Sequence, residues 1–313
     1  MGLWRYPGGK SRLAKNIVKQ LSQALGDRIT EYREPFVGGG SIGLALLRTH
    51  PGIERIRIND ADPGVASFWA TVIRWPDLIK SLIQGFTPSV AAFGEFKAGL
   101  QALDKVPTGP EDIAMVGFMK LAIHRISFSG LGVMAGGPLG GRHQLSDGSI
   151  ASRWNPARLC EEVDEAHRLF SRVEVVGNVC TCQDFEEVIE EDTETALVYL
   201  DPPYYGAGPM LYQHAFTKDD HERLARLLKE SKHSWLLSYD DCQAIRDLLS
   251  WANVQEIDVG YSVNGCRCAR ELLITRRHST LVGVVADPLG GSFGGAVSTE
   301  VLVEATSTQA AMP

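Results

Sequence analysis

The 313-residue chain lacks several features that mark membrane, secreted or strongly basic proteins. It contains no apolar run long enough to cross a bilayer, and its first residues lack the apolar segment of a signal peptide. A net charge of −7 excludes a basic coat over the whole surface, so a nucleic-acid partner would need a local basic patch. These absences predict a cytoplasmic protein that does not enter a membrane.

Cysteine is sparse, and its spacing is poor for a metal site. The chain has 6 cysteines, and the Cys-Thr-Cys and Cys-Arg-Cys segments at 180–182 and 266–268 each leave a single residue between the thiols. Structural zinc pairs usually leave more residues between their ligands, so we expect reduced cysteines and no bound metal.

The Gly-Gly-Lys-Ser run at 8–11 lacks one feature of a phosphate-binding loop. A Walker loop needs a glycine where Trp4 stands in this chain. The run could therefore be a turn with a surface lysine. Alternatively, Tyr6 and Lys10 could face a ligand at the strand ends, just before an amphipathic helix that the apolar spacing predicts.

The motif Asp201-Pro202-Pro203-Tyr204 follows an apolar run at 196–200. Such a run is typical of a buried parallel strand, because both faces are apolar and proline cannot continue the ladder. Asp201 then lies at the carboxyl end of a strand, where open α/β sheets bind ligands. A carboxylate, the Pro202 carbonyl and the Tyr204 ring together suit a planar group that carries an NH2, such as a nucleobase amino group.

A strand, a glycine turn and a helix are predicted between residues 28 and 47. Gly38, Gly40 and Gly43 satisfy the G-x-G-x-x-G spacing, which lets a ligand approach the backbone. A second strand at 53–59 ends at Asp60, which is placed to accept both hydroxyls of a ribose. The pattern favours a nucleoside-type cofactor, although glycine triplets are common turns and Asp60 could instead be a helix N-cap before Pro63.

The alternation of strands and helices fades between residues 76 and 155, which we interpret as an inserted, mainly helical second domain. Asp112 could cap a helix that runs through Ile126. Basic residues outnumber acidic ones from there to the end of the insert, which suits contacts with phosphates and bases. The alternatives are a solvated loop with chance arginines and, for Arg125, a buried ion pair with an acid.

The rest of the chain returns to alternating elements. Helices are predicted at 156–170, from Asp184, at 216–228 with a Thr217 cap, and at 240–249, and strands at 173–176 and 234–239. Two further strands, 254–259 and 271–275, could pair as a hairpin. Phe185 could be a core aromatic residue or could pack on a cofactor ring. Residues 279–313 contain no Lys or Arg and many small polar residues, so we expect a flexible tail.

With Pro35-Phe36-Val37-Gly38-Gly39-Gly40-Ser41 before the insert and the Asp201 motif after it, the chain resembles the DNA adenine methylase (Dam-like, D12 class) family. The resemblance extends from about Trp4 to Arg277. Supporting motifs lie at 6–10, 59–60, 125–130, 153–155 and 184–185.

The resemblance implies an α/β fold with an S-adenosylmethionine-dependent methyltransferase (Rossmann-like) sheet. Residues 1–75 and 156–278 would form the S-adenosylmethionine-binding catalytic domain, and residues 76–155 an inserted target-recognition domain. The implied activity is site-specific transfer of a methyl group from S-adenosylmethionine to N6 of a flipped-out adenine in double-stranded DNA. Aspartate at the first position of the Asp201 motif points to adenine. The protein would be a monomer or would have a companion restriction endonuclease.

The resemblance also implies roles for individual residues. The cofactor would be bound by Tyr6, Lys10, Phe36, Gly38, Gly39, Gly40, Asp60, Asp184, Phe185 and Asp201. The target base would be held by Asp201, Pro202, Pro203 and Tyr204. The DNA would be contacted by Lys120, Arg125, Ser127, Ser129, Arg142, Arg153 and Asn155.

Two positions depart from the family pattern, because His124 and Gln183 replace a frequent asparagine and a usual glycine. The first departure puts one contact of the insert in doubt. Two other functions remain open from the residues. The glycine spacing with Asp60 would also suit a dinucleotide-dependent oxidoreductase, and the basic insert would suit a non-enzymatic DNA-binding module.

Overall fold

The computed structural model describes residues 10, 13–25, 29–128, 130–145, 148–177, 179, 182–190, 195–206, 208, 213–261 and 267–277. The predicted tail at 279–313 and the predicted site residues Tyr6 and Ser129 lie outside these ranges, as do Cys180 and Cys266. Among the described residues, no helix combines the length and the apolar character that a membrane span requires.

The described strands form one 7-stranded sheet in the order β3-β2-β1-β4-β5-β7-β6. The strands are β1 (Glu31–Glu34), β2 (Arg55–Ile58), β3 (Glu174–Val175), β4 (Leu197–Leu200), β5 (Ser234–Asp240), β6 (Asn253–Tyr261) and β7 (Arg267–Thr275). Strands β1 to β5 are parallel, whereas β7 runs antiparallel to both β5 and β6. The predicted α/β fold and the predicted hairpin are therefore confirmed.

Helices occupy most of the remaining described chain. They are α1 (Ala14–Leu25), α2 (Ser41–Thr49), α3 (Pro63–Arg74), α4 (Pro76–Gly85), α5 (Val90–Gln101), α6 (Pro110–Ile126), α7 (Pro156–Phe170), α8 (Phe185–Glu190), α9 (Lys218–Glu230) and α10 (Gln243–Leu248). The Thr217 cap of α9 is confirmed. The Asp112 cap is wrong, because α6 starts at Pro110 and Asp112 lies inside its first turn. The N-cap of α3 is Asp62, so the alternative cap role for Asp60 is also wrong.

The two faces of the sheet bury different hydrophobic clusters. On β4, Leu197 and Tyr199 pack into one cluster with α1, α2, α3 and α7, while Val198 and Leu200 pack into another with α8 and α9. This alternation is expected for a central strand with helices on both sides, because successive side chains point to opposite faces.

The helices of the predicted insert share the larger of these clusters. Ile79 of α4 and Phe118 of α6 belong to the same core as Trp69 of α3 and Leu159 of α7. A smaller cluster lies between α5, α6 and the glycine-rich loop that extends from Gly130 to Gly148, around Phe93 and Ile126. The helical character expected for residues 76–155 is present in α4, α5 and α6, but the insert does not have a fully separate core. Its boundaries stay a prediction.

Candidate active site

The strand order brings two distant motifs to one edge of the sheet. Strands β1 and β4 are neighbours in parallel register, with Tyr32 opposite Leu197. From this pair the chain continues outward in opposite directions, to β2 and β3 on one side and to β5 on the other. A cleft at the carboxyl ends is expected at such a switch point. The glycine turn follows β1 and Asp201 follows β4, so both border this cleft.

The glycine turn after β1 is held by Trp69 of α3. The indole Nε1 donates a hydrogen bond to the Gly38 carbonyl at 2.9 Å. Gly40 has a φ of +65°, and a Cβ added there would lie 2.3 Å from the Trp69 ring. Only glycine fits this position, because it tolerates left-handed φ and has no side chain. The path of the turn therefore depends on its close packing against Trp69.

Asp60, which follows β2, closes one side of the turn. Its Oδ2 accepts a hydrogen bond from the Gly38 N–H at 2.9 Å, and its Oδ1 accepts one from the Asp62 N–H at 3.0 Å. Burial, together with the charge of Asp62, raises the pKa of Asp60 to about 6. Each carboxylate oxygen has a second lone pair, so Asp60 can still accept hydrogen bonds from a ligand.

Asn59 fixes the segment that carries Asp184 and Phe185. Its Oδ1 accepts from the Gln183 N–H at 3.0 Å, and its Nδ2 donates to the Gln183 carbonyl at 3.0 Å. The Gln183 side chain accepts a further hydrogen bond from Arg57 at 3.1 Å. The replacement of the usual glycine at position 183 is thus accommodated, because Gln183 is bound through both its backbone and its side chain.

Three phenylalanine rings line the same side of the cleft. The ring centroid of Phe36 lies 5.9 Å from that of Phe185 and 5.5 Å from that of Phe216, and the latter two are 5.2 Å apart. The Arg223 guanidinium lies 4.9 Å from the Phe185 centroid and donates to Asp184 at 3.0 Å. Phe36, Asp184 and Phe185, which the resemblance assigned to the cofactor, lie close together, with Phe216 and Arg223 beside them.

Asp201 lies at the end of β4 and is about 20% exposed. Its Oδ1 accepts hydrogen bonds from Lys10 Nζ at 2.7 Å and from Ser238 Oγ on β5 at 3.0 Å. The described residues donate no hydrogen bond to Oδ2 or to the Pro202 carbonyl. Asp201 Oδ2 and the Pro202 carbonyl therefore keep acceptor capacity that the described residues do not use.

Lys10 connects Asp201 with two further buried groups. Its Nζ donates to the Tyr204 hydroxyl at 2.7 Å and lies 3.5 Å from Oε2 of Glu271. The Tyr204 hydroxyl in turn donates to Oε1 of Glu271 at 3.1 Å. The ammonium thus has two carboxylates and one hydroxyl around it. The sequence predicted that Lys10, Asp201 and Tyr204 act at one site, and the structure brings them into contact.

The electrostatics of this group follow from burial and pairing. Burial works to lower the pKa of Lys10, but the charges of Asp201 and Glu271 raise it above its usual value, so Lys10 is a cation. Burial raises the pKa of Asp201, while Lys10 opposes that shift and Glu271 adds to it. Asp201 therefore depends on Lys10 to remain an ionised acceptor.

Most of the residues expected to contact DNA have partners inside the protein. Lys120 is buried and forms a salt bridge with Asp62. This corrects the expectation for Lys120, because a buried, paired ammonium does not present itself to a phosphate. Arg125 pairs with Glu162 at 3.1 Å, the alternative that the sequence left open.

Three of the other residues expected to contact DNA also bind groups within the protein, whereas Arg142 is exposed. Ser127 is buried, and its Oγ accepts from the Gly132 N–H at 3.3 Å. Arg153 donates to the Ser127 and Phe128 carbonyls at 3.4 and 3.3 Å, and Asn155 caps α7. Arg142 is exposed on the glycine-rich loop. Among the members of this group that the structure describes, only Arg142 and Asn155 are exposed.

His124, which replaces the family's frequent asparagine, is buried beneath the same loop. Its Nδ1 lies 2.8 Å from the Gly130 carbonyl, and its ring packs against Gly132, which has a φ of +59°. His124 therefore supports the start of the glycine-rich loop.

Sequence reasoning missed four residues of this site: Phe216, Arg223, Ser238 and Glu271. A weak signal existed for two of them, because Ser238 directly follows the apolar run Trp235-Leu236-Leu237 and Glu271 directly precedes the apolar run Leu272-Leu273-Ile274. Phe216 and Arg223 have no signal in the sequence, since only the packing of α9 against α8 brings them to the cleft.

A comparison with protein-family models matches residues 6–97 and 148–263 to the model described as D12 class N6 adenine-specific DNA methyltransferase. These ranges cover well over half of the chain and include the glycine turn, Asp60 and the Asp201 motif. The segment between them, 98–147, contains α6 and most of the glycine-rich loop. A comparison with curated proteins gave no match.

Proposed function

Because the chain belongs to the D12 class N6 adenine-specific DNA methyltransferase family, a family of S-adenosylmethionine-dependent enzymes, we propose that it methylates adenine N6 at specific sites in double-stranded DNA. The methyl donor is S-adenosylmethionine, and the target adenine leaves the duplex to enter the cleft. The observation that carries this proposal is that the glycine turn after β1 and Asp201 after β4 lie at the ends of neighbouring parallel strands, with Asp201 Oδ2 accepting no hydrogen bond from the described residues.

The cleft suits the proposed cofactor. The glycine turn after β1 is fixed by Trp69, which packs so closely on Gly40 that no side chain fits there. Asp60 has acceptor capacity for ribose hydroxyls, and the cluster of Phe36, Phe185 and Phe216 is apolar and aromatic, as an adenine ring requires. When bound, S-adenosylmethionine supplies an electrophilic methyl group on a sulfonium.

Asp201 and Pro202 would activate the target nitrogen. The N6 lone pair of adenine is delocalised into the ring, which makes it a poor nucleophile. Two hydrogen bonds from the amino group, to Asp201 Oδ2 and to the Pro202 carbonyl, would localise the pair and aim it at the methyl group. The new nitrogen–carbon bond forms as the carbon–sulfur bond breaks toward sulfur, and one N6 hydrogen then leaves as a proton.

Tyr204 would contribute to holding the flipped base. Flipping costs a few kcal/mol, and stacking of a base on an aromatic ring returns about 1 to 3 kcal/mol. The Tyr204 hydroxyl is fixed by Lys10 and Glu271, so the ring is held in one orientation before the base arrives. Preorganisation of this kind lowers the cost of binding.

The glycine-rich loop offers a surface for the duplex. Arg142 lies on it, and the 69% exposed side chain of Phe128 lies just before it. Exposed large apolar side chains often mark a binding surface. We propose that residues 76–155 read the target sequence mainly through this loop, with Arg142 at a phosphate.

Asp201 variants test the proposal. Asp201→Ala and Asp201→Asn should each abolish methyl transfer measured with tritiated S-adenosylmethionine. Lys10 keeps Glu271 as a partner, so both variants should remain folded by circular dichroism. Asp219→Ala, an exposed aspartate on α9, is the matched control and should keep full activity.

Full activity of Asp201→Ala would overturn the assignment. Single-molecule sequencing of DNA from cells that express the wild-type protein should report N6-methyladenine and its sequence context. Unmodified adenine there, with the protein folded and abundant, would contradict the proposed activity.

A further inference from the structure

A carboxylate from the antiparallel hairpin enters the site from the far side of Asp201. Glu271 lies on β7 and is only 3% exposed. It is opposite Asp240 in the β5–β7 register, two residues along from Ser238, which binds Asp201. Both of its oxygens face the site: Oε1 accepts from Tyr204 at 3.1 Å, and Oε2 is 3.5 Å from Lys10 Nζ.

Two buried carboxylates face the ammonium of Lys10. Its Nζ is 2.7 Å from Asp201 Oδ1 and 3.5 Å from Glu271 Oε2. Burial of each charged group carries a desolvation cost. A costly buried charge beside a reactive group is a candidate for a functional role.

The change of charge during the proposed reaction suggests a role for the Glu271 carboxylate. The target nitrogen becomes cationic when it gains the methyl group, and it does so beside Asp201. The Lys10 ammonium, bound to Asp201 Oδ1, would repel that new charge in a site that is screened little by water. A second carboxylate beside Lys10 offsets this repulsion.

We propose that Glu271 is a positioning residue that holds Lys10 and Tyr204 against Asp201 and offsets the charge of Lys10 as the target amino group becomes cationic. This inference rests on the proposed function. The contacts form a directed chain, since Lys10 donates to Tyr204 and Tyr204 donates to Glu271. Replacing Glu271 by glutamine preserves the size of the side chain and one acceptor oxygen but removes the charge.

The pH dependence of the reaction should reveal the effect of the Glu271 charge. Asp201 must be ionised to accept from N6, so its protonation sets the acid limb of the rate profile. Glu271 contributes to the raised pKa of Asp201, so removing its charge should move the acid limb to lower pH. The groups that face Asp201 are Lys10, Glu271, Ser238, Tyr199, Tyr204, Tyr239 and the Glu34 carboxyl.

The experiment compares Glu271→Gln and Glu271→Asp with the wild type in single-turnover methyl transfer as a function of pH. Asp258→Asn, an exposed carboxylate on the neighbouring strand β6, is the matched control. Glu271→Gln should lower the rate constant by roughly tenfold or more and move the acid limb to lower pH. Glu271→Asp should recover part of the rate constant and keep the acid limb at the wild-type pH. Asp258→Asn should match the wild type in both measurements.

Two outcomes would overturn the inference. One is a Glu271→Gln enzyme with an unchanged rate constant. The other is a Glu271→Gln enzyme that loses stability or cofactor affinity while its acid limb stays in place, which would mean a structural role only. If Glu271→Gln does not fold, the Glu271→Asp variant tests the proposal instead. This variant keeps the negative charge, so a shift of the acid limb of its pH–rate profile would contradict the proposal.

The same assays separate this inference from the proposed function. An active wild type, an inactive Asp201→Ala and a normal Glu271→Gln would refute only the role of Glu271. A wild type without methyl transfer, or an active Asp201→Ala, would refute the proposed function itself.

Discussion

Lys120 of α6 forms a buried salt bridge with Asp62, the residue that caps the N-terminus of α3. Burial works against ionisation of Asp62, but Lys120 holds the pKa of this carboxyl below its usual value. The Asp62 N–H in turn donates to Asp60, which binds the glycine turn. A helix of the predicted insert is thus tied to the segment that lines the cofactor cleft.

Lys120→Met should therefore affect stability rather than DNA binding. Removal of one partner leaves Asp62 buried without its cation, which typically costs about 3 to 5 kcal/mol. Denaturant unfolding should show this loss, and adding Asp62→Asn to Lys120→Met should restore part of it. Lys105→Met, at an exposed lysine of the same region, should leave stability unchanged.

The salt dependence of DNA affinity distinguishes Lys120 from Arg142. A residue that contacts a phosphate lowers the salt slope by about 1 when it is removed. Arg142→Ala should show that change, and Lys120→Met should not. If a folded Lys120→Met variant showed a reduced salt slope, Lys120 would contact DNA despite its burial.

Glu34, at the end of β1, should make stability fall as the pH rises. Its Oε2 accepts hydrogen bonds from Tyr32 and from the Gly43 N–H, each at 3.1 Å. Burial, with a further contribution from Asp201, raises its pKa from 4.5 to about 8. Between these values the folded state holds a proton that the unfolded state releases, so the free energy of unfolding decreases with rising pH.

Glu34→Gln should remove this dependence, because an amide keeps the acceptor and does not titrate. The variant should gain stability relative to the wild type by up to a few kcal/mol at about pH 8.5, and by much less at about pH 5. Thermal unfolding at the two pH values measures the difference. An equal effect of the substitution at both values would contradict the raised pKa.

Gly40→Ala should damage the cofactor cleft. The new Cβ would lie 2.3 Å from the Trp69 ring, at a φ of +65° that alanine adopts only with strain. The free energy of unfolding should fall by about 1 to 3 kcal/mol. Calorimetry should also show weaker binding of S-adenosylmethionine. At Gly52 a Cβ would meet nothing within 4 Å, so Gly52→Ala is the control and should bind normally. If Gly40→Ala and Gly52→Ala were equally stable and bound S-adenosylmethionine equally well, the steric argument would be wrong.

Cofactor affinity should fall as Asp60 becomes protonated. Burial and the charge of Asp62 raise the pKa of Asp60 to about 6. If ribose hydroxyls donate to the carboxylate, S-adenosylmethionine should bind roughly tenfold more weakly at about pH 5 than at about pH 7.5. Asp60→Asn should bind weakly at both values, and a wild-type affinity that does not change with pH would argue against the role of Asp60.

The sequence predicted most of the fold, for reasons visible in particular elements. The apolar run before Asp201 and the Thr217 cap are local signals, and both describe the structure correctly. The start of α6 was misjudged because Asp112 and Pro110 are both typical of a first turn. The separate insert was inferred from fading alternation, which does not reveal that Phe118 packs into the main core.

The sequence by itself determined the family, the glycine turn and the acceptors at Asp201 and Pro202, because each is a local pattern of residue types. Tertiary structure alone decided which residues meet. The pairing of β1 with β4 joins the two motifs, and the β6–β7 hairpin brings Glu271 to Lys10 across a separation of many residues. Burial turned Lys120 from an expected DNA contact into an internal ion pair, since exposure depends on packing that no local pattern encodes.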